Sequence, residues 1–393
     1  MGKILIREVP GDRVVPFLRG ILTHSLQEAG LGFDDAYRVA SEIRARLGRG
    51  SDDRELTSGE LRKLVGEYLE KEFGQETAKR YIARAAPPAT IYVTTEDGRR
   101  SAFSRGLHQH FLEPCCLSKE ASAVITGRVY EELLLRRVQE ISSQEVRAIT
   151  SRFLTEEIDA DTARRYLKWT SFFRSNRPLL VLIGGTPGCG KSTVATELAH
   201  RLDIVRIQST DMLREVMRMM MPERLLPVLH TSSFCAWEVL PQGGMHQPEL
   251  EEVLTSGYQT QAEIVSVACE AAIQRALTER VSLILEGVHV YPPLLKRIPP
   301  PEDAVIVPIM LGVLNPDELR VRLKGRGKQI PGRRSKRYLN YFDSIWRLQS
   351  FLLSEADKGG VPIILNDDRE LAIQEVMRTI IDRLPDDTVQ EEV

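Results

Sequence analysis

The sequence predicts an α/β domain with a parallel sheet flanked by helices, preceded by two mainly helical repeats. Three observations support this prediction: a strand pattern that runs into a glycine-rich loop and a helix, further apolar strand patterns behind it, and an internal repeat in the front half. With 393 residues, 42% hydrophobic and 27% charged, the chain is long enough for two or three globular domains. We therefore expect domains at residues 1–87, 88–172 and 173–393.

The glycine-rich loop lies between a strand and a helix. Residues 179–183 form an aliphatic run typical of a buried parallel strand, and a helix pattern follows the loop. Between them, residues 185–192 have the P-loop pattern Gly-x-x-x-x-Gly-Lys-Ser. Glycines let successive backbone N–H groups turn inward around a phosphate, and the helix N-terminus adds partial positive charge. The domain is therefore predicted to be a P-loop NTPase of the small-molecule kinase type.

This motif predicts a site for ATP and Mg²⁺. Lys191 is expected to reach the terminal phosphates, and the hydroxyl of Ser192 is expected to bind the metal ion. A loop without function is the alternative, which the strand and helix on either side disfavour. The residues expected to bind the nucleotide are Gly185, Thr186, Pro187, Gly188, Cys189, Gly190, Lys191, Ser192, Thr193 and, after the last predicted strand, Asn366.

Charge and cysteine content exclude several classes of protein. The formal net charge is -2, so no dominant basic field argues for nucleic acid. The five cysteines lack metal-ligand spacing, and reduced thiols in a cytoplasmic protein fit them best. No segment approaches the length of a membrane span, and the N-terminus lacks the apolar core of a signal peptide. We expect a cytoplasmic protein that binds neither nucleic acid nor membrane.

The front half of the chain contains an internal duplication. Three segment pairs recur in the same order at nearly constant offset: Phe17–Ile21 with Phe103–Leu107, Ser58–Arg62 with Ser143–Arg147, and Thr77–Tyr81 with Thr162–Tyr166. Each copy is expected to open with a short strand, at Lys3–Val9 and at Thr90–Thr95, followed by a turn and three or four helices. In the first copy, Thr57 and Glu60 are spaced as a capping box for its third helix.

These copies resemble the ATP-cone, a small helical regulatory module of ribonucleotide reductases and related proteins. The resemblance rests on the Asp-Gly-Arg turn at 97–99, a phenylalanine at the first helix and the closing Ala-x-x-Tyr. It implies nucleotide binding in allosteric control, so a nucleotide effector is an expected partner. The family's usual basic pair before the turn is replaced by Thr95 and Glu96 in the second copy. Degenerate copies that serve as packing or dimer surfaces are therefore the alternative.

Two strand ends behind the P-loop have candidate catalytic groups. The strand expected at Ile204–Ile207 leads to Asp211, which would orient an acceptor hydroxyl or hold a Mg²⁺-bound water. Arg214, one turn on, would clamp an anionic acceptor; a helix cap and a solvated arginine are the alternatives. Glu286, at the tip of a strand, would bind Mg²⁺ through water or contact the acceptor. The expected metal ligands are Ser192, Asp211 and Glu286.

The segment 320–337 is rich in arginine and lysine and is broken by glycine and proline, which predicts a mobile lid. Arg322 and Arg326 are the candidates for neutralising charge on the transferring phosphoryl group. A nucleic-acid surface and a solvated helix are the alternatives, but aromatic platforms and alternating charge signs are missing. The expected catalytic residues are Lys191, Asp211, Arg214, Glu286, Arg322 and Arg326.

Together these motifs resemble the 2-phosphoglycerate kinase family of archaea and bacteria. The segments that support the resemblance are Gly184–Thr193, Ser209–Arg214, Leu226–Ser233, Trp237, Gln261–Ala262 and Leu285–His289. The resemblance implies transfer of the γ-phosphate of ATP to the 3-hydroxyl of 2-phosphoglycerate, so a small phosphorylated acid is the expected substrate. A kinase of a phosphorylated polyol such as an inositol phosphate, and a nucleotide-sensing regulatory ATPase, remain alternatives. The sequence leaves the oligomeric state open, and a homo-oligomer is one of the alternatives.

Overall fold

The structure is a computed structural model that describes residues 4–8, 13–48, 54–84, 90–136, 138–241, 249–298, 303–325 and 333–385. Arg326 and the middle of the predicted lid, at 326–332, lie outside the described residues. The chain divides into two compact units, Met1–Phe103 with Glu131–Ser143 and Ser104–Tyr130 with Gln144–Val393. In the described ranges, the helices are too short or too polar to cross a membrane.

Two small sheets with the same topology are formed by the front part of the chain. Their strands are β1 (Ile4–Glu8), β2 (Arg13–Pro16) and β3 (Arg54–Thr57), then β4 (Tyr92–Thr94), β5 (Arg100–Ala102) and β6 (Glu140–Ser142). In each sheet the first strand is central, antiparallel to the second and parallel to the third. The opening strands match the prediction. The other strands were not predicted, because three or four residues give little alternation to detect.

Two helices precede the third strand of each sheet along the chain, and two follow it. They are α1 (Arg19–Glu28), α2 (Phe33–Leu47), α3 (Ser58–Phe73) and α4 (Gln75–Arg84), then α5 (Arg105–Leu112), α6 (Lys119–Leu135), α7 (Ser143–Glu157) and α8 (Ala160–Arg174). The same element order therefore occurs twice, in agreement with the sequence repeat. The backbone N–H of Glu60 donates to Thr57 Oγ1 at 3.2 Å, and the backbone N–H of Thr57 donates to Glu60 Oε2 at 2.8 Å. The predicted capping box is therefore confirmed.

The back half contains a five-stranded parallel sheet. Its strands are β7 (Leu179–Gly184), β8 (Ile207–Ser209), β9 (Leu283–Glu286), β10 (Val305–Gly312) and β11 (Ile363–Leu365). They are arranged in the order β11-β10-β7-β9-β8, and all neighbouring pairs are parallel. The predicted α/β class is confirmed. The strand predicted at Ile204–Ile207 begins only at Ile207, where the chain first pairs with β9.

Helices cover both faces of this sheet. They are α9 (Lys191–Arg201), α10 (Thr210–Met220), α11 (Leu250–Thr278), α12 (Pro292–Leu295), α13 (Pro316–Gly325), α14 (Arg333–Asn340), α15 (Phe342–Lys358) and α16 (Arg369–Asp382). Alternate residues of β7 enter two separate hydrophobic cores: Val181 and Ile183 enter one, and Leu180 and Leu182 the other. Because the strands are parallel, their carboxyl ends gather at one edge, where ligands of such sheets bind.

Candidate functional site

The P-loop connects β7 to α9 with the backbone conformation of a phosphate cradle. Gly185, Gly188 and Gly190 have φ angles of 140°, 95° and 89°, which residues with a Cβ rarely adopt. A Cβ at Gly190 would lie 2.2 Å from Asn366 Nδ2, and one at Gly185 would lie 2.5 Å from the carbonyl oxygen of Leu311. The spacing of glycines in the motif thus follows from both conformation and close packing.

Lys191 and Asn366 hold the loop from two sides. Lys191 is 6% exposed, and its Nζ donates to the carbonyl oxygen of Thr186 at 2.9 Å. Its ammonium group therefore lies inside the loop, where the terminal phosphates of a nucleotide would bind. Asn366 follows β11 and donates through Nδ2 to the carbonyl oxygen of Cys189 at 2.8 Å. Asn366 thus braces the P-loop backbone, and its contact with a nucleotide stays a prediction.

A hydroxyl at the start of α9 meets a carboxylate at the end of β9. Ser192 Oγ donates to Glu286 Oε1 at 3.0 Å, and Glu286 is 6% exposed at the end of β9. Oxygen ligands of this kind are those that Mg²⁺ prefers, usually completed by water and substrate phosphates. The pair therefore fits the predicted metal ion. In the described ranges, no group of three or more His, Cys, Asp or Glu side chains could hold a metal ion.

Two cavities lie at this edge of the sheet. The smaller, of about 100 Å³, brings together six predicted site residues: Pro187, Lys191, Ser192, Asp211, Arg214 and Glu286. The larger has a volume of about 460 Å³. The residues that line both cavities are Asp211, Arg214, Ser232, Phe234 and Tyr338. A P-loop compartment and a roomier compartment therefore share a wall, as two-substrate chemistry requires.

Asp211 and Arg214 lie on α10 but differ in their surroundings. The side chain of Asp211 is 68% exposed, whereas that of Arg214 is 12% exposed. Nη1 of Arg214 donates to the carbonyl oxygens of Leu229 at 2.9 Å and Thr231 at 2.7 Å, and Nη2 donates to Glu215 Oε1 at 2.9 Å. Arg214 thus fixes the turn at 227–231 against α10. Its predicted role as a clamp for the acceptor stays a prediction.

The structure does not bring Arg322 of the predicted lid to either cavity. Arg322 on α13 donates through Nε to Glu318 Oε1 at 3.0 Å and through Nη2 to the carbonyl oxygen of Asp367 at 3.3 Å. It is not among the residues that line the two cavities, and Arg326 lies outside the described residues. Arg337, from α14, lines the larger cavity instead.

A buried polar chain next to Asp211 was not predicted. Thr210 Oγ1 lies 2.9 Å from His289 Nδ1, and His289 Nε2 lies 3.1 Å from Gln261 Oε1. Nε2 of Gln261 donates to the carbonyl oxygens of Val228 and Thr231, which fixes its amide orientation. Oε1 of Gln261 must therefore accept, so His289 donates through Nε2 and accepts from Thr210 at Nδ1. The only sign of this polar chain in the sequence was the presence of polar residues inside otherwise apolar segments.

Burial sets the charge state of His289. All three side chains of the chain Thr210–His289–Gln261 have no exposed surface. Removal from water lowers the pKa of His289 to about 4, the positive charges of Arg214 and Lys191 act in the same direction, and Asp211 opposes them. The ring is therefore neutral at pH 7, which matches the one-donor, one-acceptor pattern of its contacts.

Comparison with known proteins places this geometry in a family. Residues 163–233 match the family model described as Zeta toxin. The 2-phosphoglycerate kinase of Pyrococcus furiosus is 34% identical over 294 residues, which cover 75% of this chain and 94% of that relative. The 2-phosphoglycerate kinase of Methanothermobacter thermautotrophicus is 35% identical over 71% of this chain and 90% of that relative. The one of Methanopyrus kandleri is 34% identical over 72% of this chain and 84% of that relative. The chain therefore belongs to the 2-phosphoglycerate kinase family.

Proposed function

We propose that the chain is an ATP-dependent kinase that transfers the γ-phosphate to the 3-hydroxyl of 2-phosphoglycerate, giving 2,3-bisphosphoglycerate. The observation that supports this function is the shared wall between the P-loop cavity and the larger polar cavity. The relatives that it matches over 90% or more of their own length are named 2-phosphoglycerate kinase. The small phosphorylated acid would occupy the larger cavity, with its hydroxyl directed at the P-loop.

We assign each residue a role that its position supports. Lys191 and the loop N–H groups hold the β- and γ-phosphates, and Ser192 and Glu286 are the residues that would hold Mg²⁺. When bound, this ion neutralises phosphate charge. Asp211 orients the acceptor hydroxyl and receives its proton as the acceptor oxygen bonds to the γ-phosphorus. The bond from that phosphorus to the β–γ bridging oxygen breaks, and ADP leaves. Positioning and charge suffice, because phosphoryl transfer needs little covalent help.

The proposal is tested by incubating the purified full chain with ATP, Mg²⁺ and 2-phosphoglycerate, and by following ADP and the bisphosphorylated product by ³¹P NMR. Lys191→Ala should lower kcat/KM by at least about 100-fold, because it removes a charge that contacts the transferring group. Lys336→Ala, on an exposed position of α14, is the control and should retain turnover. Full turnover by Lys191→Ala, or phosphorylation of an inositol phosphate in preference to 2-phosphoglycerate, would contradict the proposal.

We also propose that the two front repeats are ATP-cone modules that bind a nucleotide effector. Their repeated order of three strands and four helices supports this, and domain limits at 1–87, 88–172 and 173–393 remain a prediction. The full-length Lys191→Ala variant should then still bind labelled ATP, because the repeats do not use the P-loop lysine. Loss of all ATP binding in that variant would show that the repeats do not bind ATP. A cytoplasmic location and a homo-oligomer also remain predictions.

A further inference from the structure

The larger cavity contains more positive than negative side chains. Three arginines, on α10 and α14, line it together with two carboxylates: Arg214, Arg218, Arg337, Asp211 and Glu215. Hydroxyl and imidazole groups add donors around them, at His230, Thr231 and Ser232. A cavity of about 460 Å³ falls in the range of small-molecule sites. Its composition is that of a site for an anion with several oxygen acceptors.

The three arginines are not equivalent. Arg214 is nearly buried, and its two Nη atoms are used by two backbone carbonyls and by Glu215 Oε1. Arg218, one turn along α10, is 38% exposed and contacts the other oxygen of the same carboxylate, Glu215 Oε2, at 3.1 Å. One carboxylate therefore faces two guanidinium groups, which leaves positive charge at the more exposed Arg218.

Arg337 approaches the same cavity from α14. Its side chain is exposed, and its Nη2 donates to Cys235 Sγ at 3.5 Å. A thiol sulfur is a weak acceptor, and a guanidinium group gains much more from a phosphate, to which it can donate two parallel hydrogen bonds. Arg218 and Arg337 thus have more donor capacity toward the cavity than Arg214, both of whose Nη atoms already donate to the protein.

We propose that Arg218 and Arg337 bind the phosphate that the acceptor already has, and that they thereby select a phosphorylated acid over the unphosphorylated one. This inference rests on the proposed function and specifies its acceptor site. Asp211 lines both cavities, so a phosphate held by α10 and α14 leaves the acceptor hydroxyl on the side of the P-loop. Arg214 has a structural role in the cavity wall.

The test compares Arg218→Gln and Arg337→Gln with Lys336→Gln, an exposed neighbour that lines neither cavity. Each arginine variant should raise KM for 2-phosphoglycerate by about 10- to 100-fold, the effect of losing a charge-assisted hydrogen bond. KM for ATP should stay within about twofold, which also shows that the variants fold. Unchanged KM for 2-phosphoglycerate in both variants, or an equal effect in Lys336→Gln, would overturn the proposal.

A binding measurement separates this site from the identity of the acceptor. Inorganic phosphate should raise the thermal unfolding midpoint of the wild type saturated with Mg²⁺ and a non-hydrolysable ATP analogue, in which the P-loop is filled. The double variant Arg218→Gln/Arg337→Gln should lose this shift. If the wild type does not phosphorylate 2-phosphoglycerate yet shows the shift, the proposed function fails and the anion site stands. If the shift is absent, or is retained in the double variant, the anion site is wrong.

Discussion

The hydroxyl of Thr210 donates to Nδ1 of His289 at 2.9 Å, which ties the N-terminus of α10 to the loop that follows β9. Asp211 is the next residue along α10, and Glu286 lies three positions before His289. This buried hydrogen bond therefore adds to the backbone pairing of Ser209 with Glu286 in joining the two segments that supply the candidate catalytic carboxylates.

Thr210→Val should lower kcat more than it lowers substrate affinity. Valine has nearly the same shape but leaves Nδ1 of His289 without its donor, at a cost of about 1–3 kcal/mol in the free energy of unfolding. We expect kcat to fall about tenfold as Asp211 loses its fixed position, with KM for ATP unchanged. Steady-state kinetics and urea unfolding measure the two effects. Thr379→Val, on a half-buried position of α16, is the matched control; equal kinetics in both variants would contradict the positioning role.

Acidification should destabilise the protein through two buried histidines. Burial lowers the pKa of His108 and of His289 to about 4. Below the unfolded pKa of about 6.5, the unfolded state binds protons that the folded state does not, so the free energy of unfolding falls as pH drops from 6.5 toward 4. A shift of this size corresponds to about 3 kcal/mol for each histidine.

Urea unfolding of the wild type and of His289→Gln between pH 7.5 and pH 4.5 tests this expectation. Glutamine retains hydrogen-bonding groups but does not titrate, so the variant should show a shallower loss of stability with falling pH. His24→Gln, on an exposed position of α1, is the matched control. Parallel curves for the wild type and His289→Gln would show that His289 titrates normally in the folded protein.

Glu286→Gln should raise the Mg²⁺ concentration needed for activity. The amide keeps an oxygen that accepts from Ser192 Oγ but loses the negative charge that would attract the ion. We expect kcat to fall by about 100-fold at limiting Mg²⁺ and to recover in part at high Mg²⁺. Initial rates across a Mg²⁺ titration provide the measurement, and Glu375→Gln on exposed α16 surface is the control. An unchanged Mg²⁺ dependence would show that Glu286 does not help to bind the metal ion.

Gly190→Ala should abolish nucleotide binding. The new Cβ would lie 2.2 Å from Asn366 Nδ2, and alanine is strained at a φ of 89°. The second change Asn366→Ala removes the clash, so the double variant should recover part of the affinity for an ATP analogue, measured by calorimetry. Gly106→Ala, on α5, is the control, because nothing lies within 4 Å of its Cβ. Tight binding by Gly190→Ala alone would argue against the cradle.

The parts of this molecule that are set by local sequence were predictable. The P-loop, the capping box at Thr57 and the duplicated element order all follow from residues close together in the chain. Parallel pairing of the apolar strands also made the approach of Ser192 to Glu286 foreseeable.

The parts that depend on long-range packing were not predictable. The role of Arg322 in catalysis stays a prediction, and its ion pair with Glu318 and contact with the backbone of Asp367 include a partner far away in the sequence that spacing does not report. The link between Gln261 and His289 joins residues on different elements, and no local pattern reports it. Short strands such as β2 and β5 are defined by their pairing with β1 and β4, because three or four residues give too short a pattern to detect in the sequence.

The common wall of the two cavities also bears on inhibition. Because Asp211, Ser232 and Tyr338 line both compartments, the proposed ends of the two ligands lie against the same side chains. A single molecule that joins adenosine to a phosphorylated acid through a polyphosphate bridge would fill both compartments at once. Tethering converts the second binding event into an intramolecular one, so such a compound should bind far more tightly than either half alone.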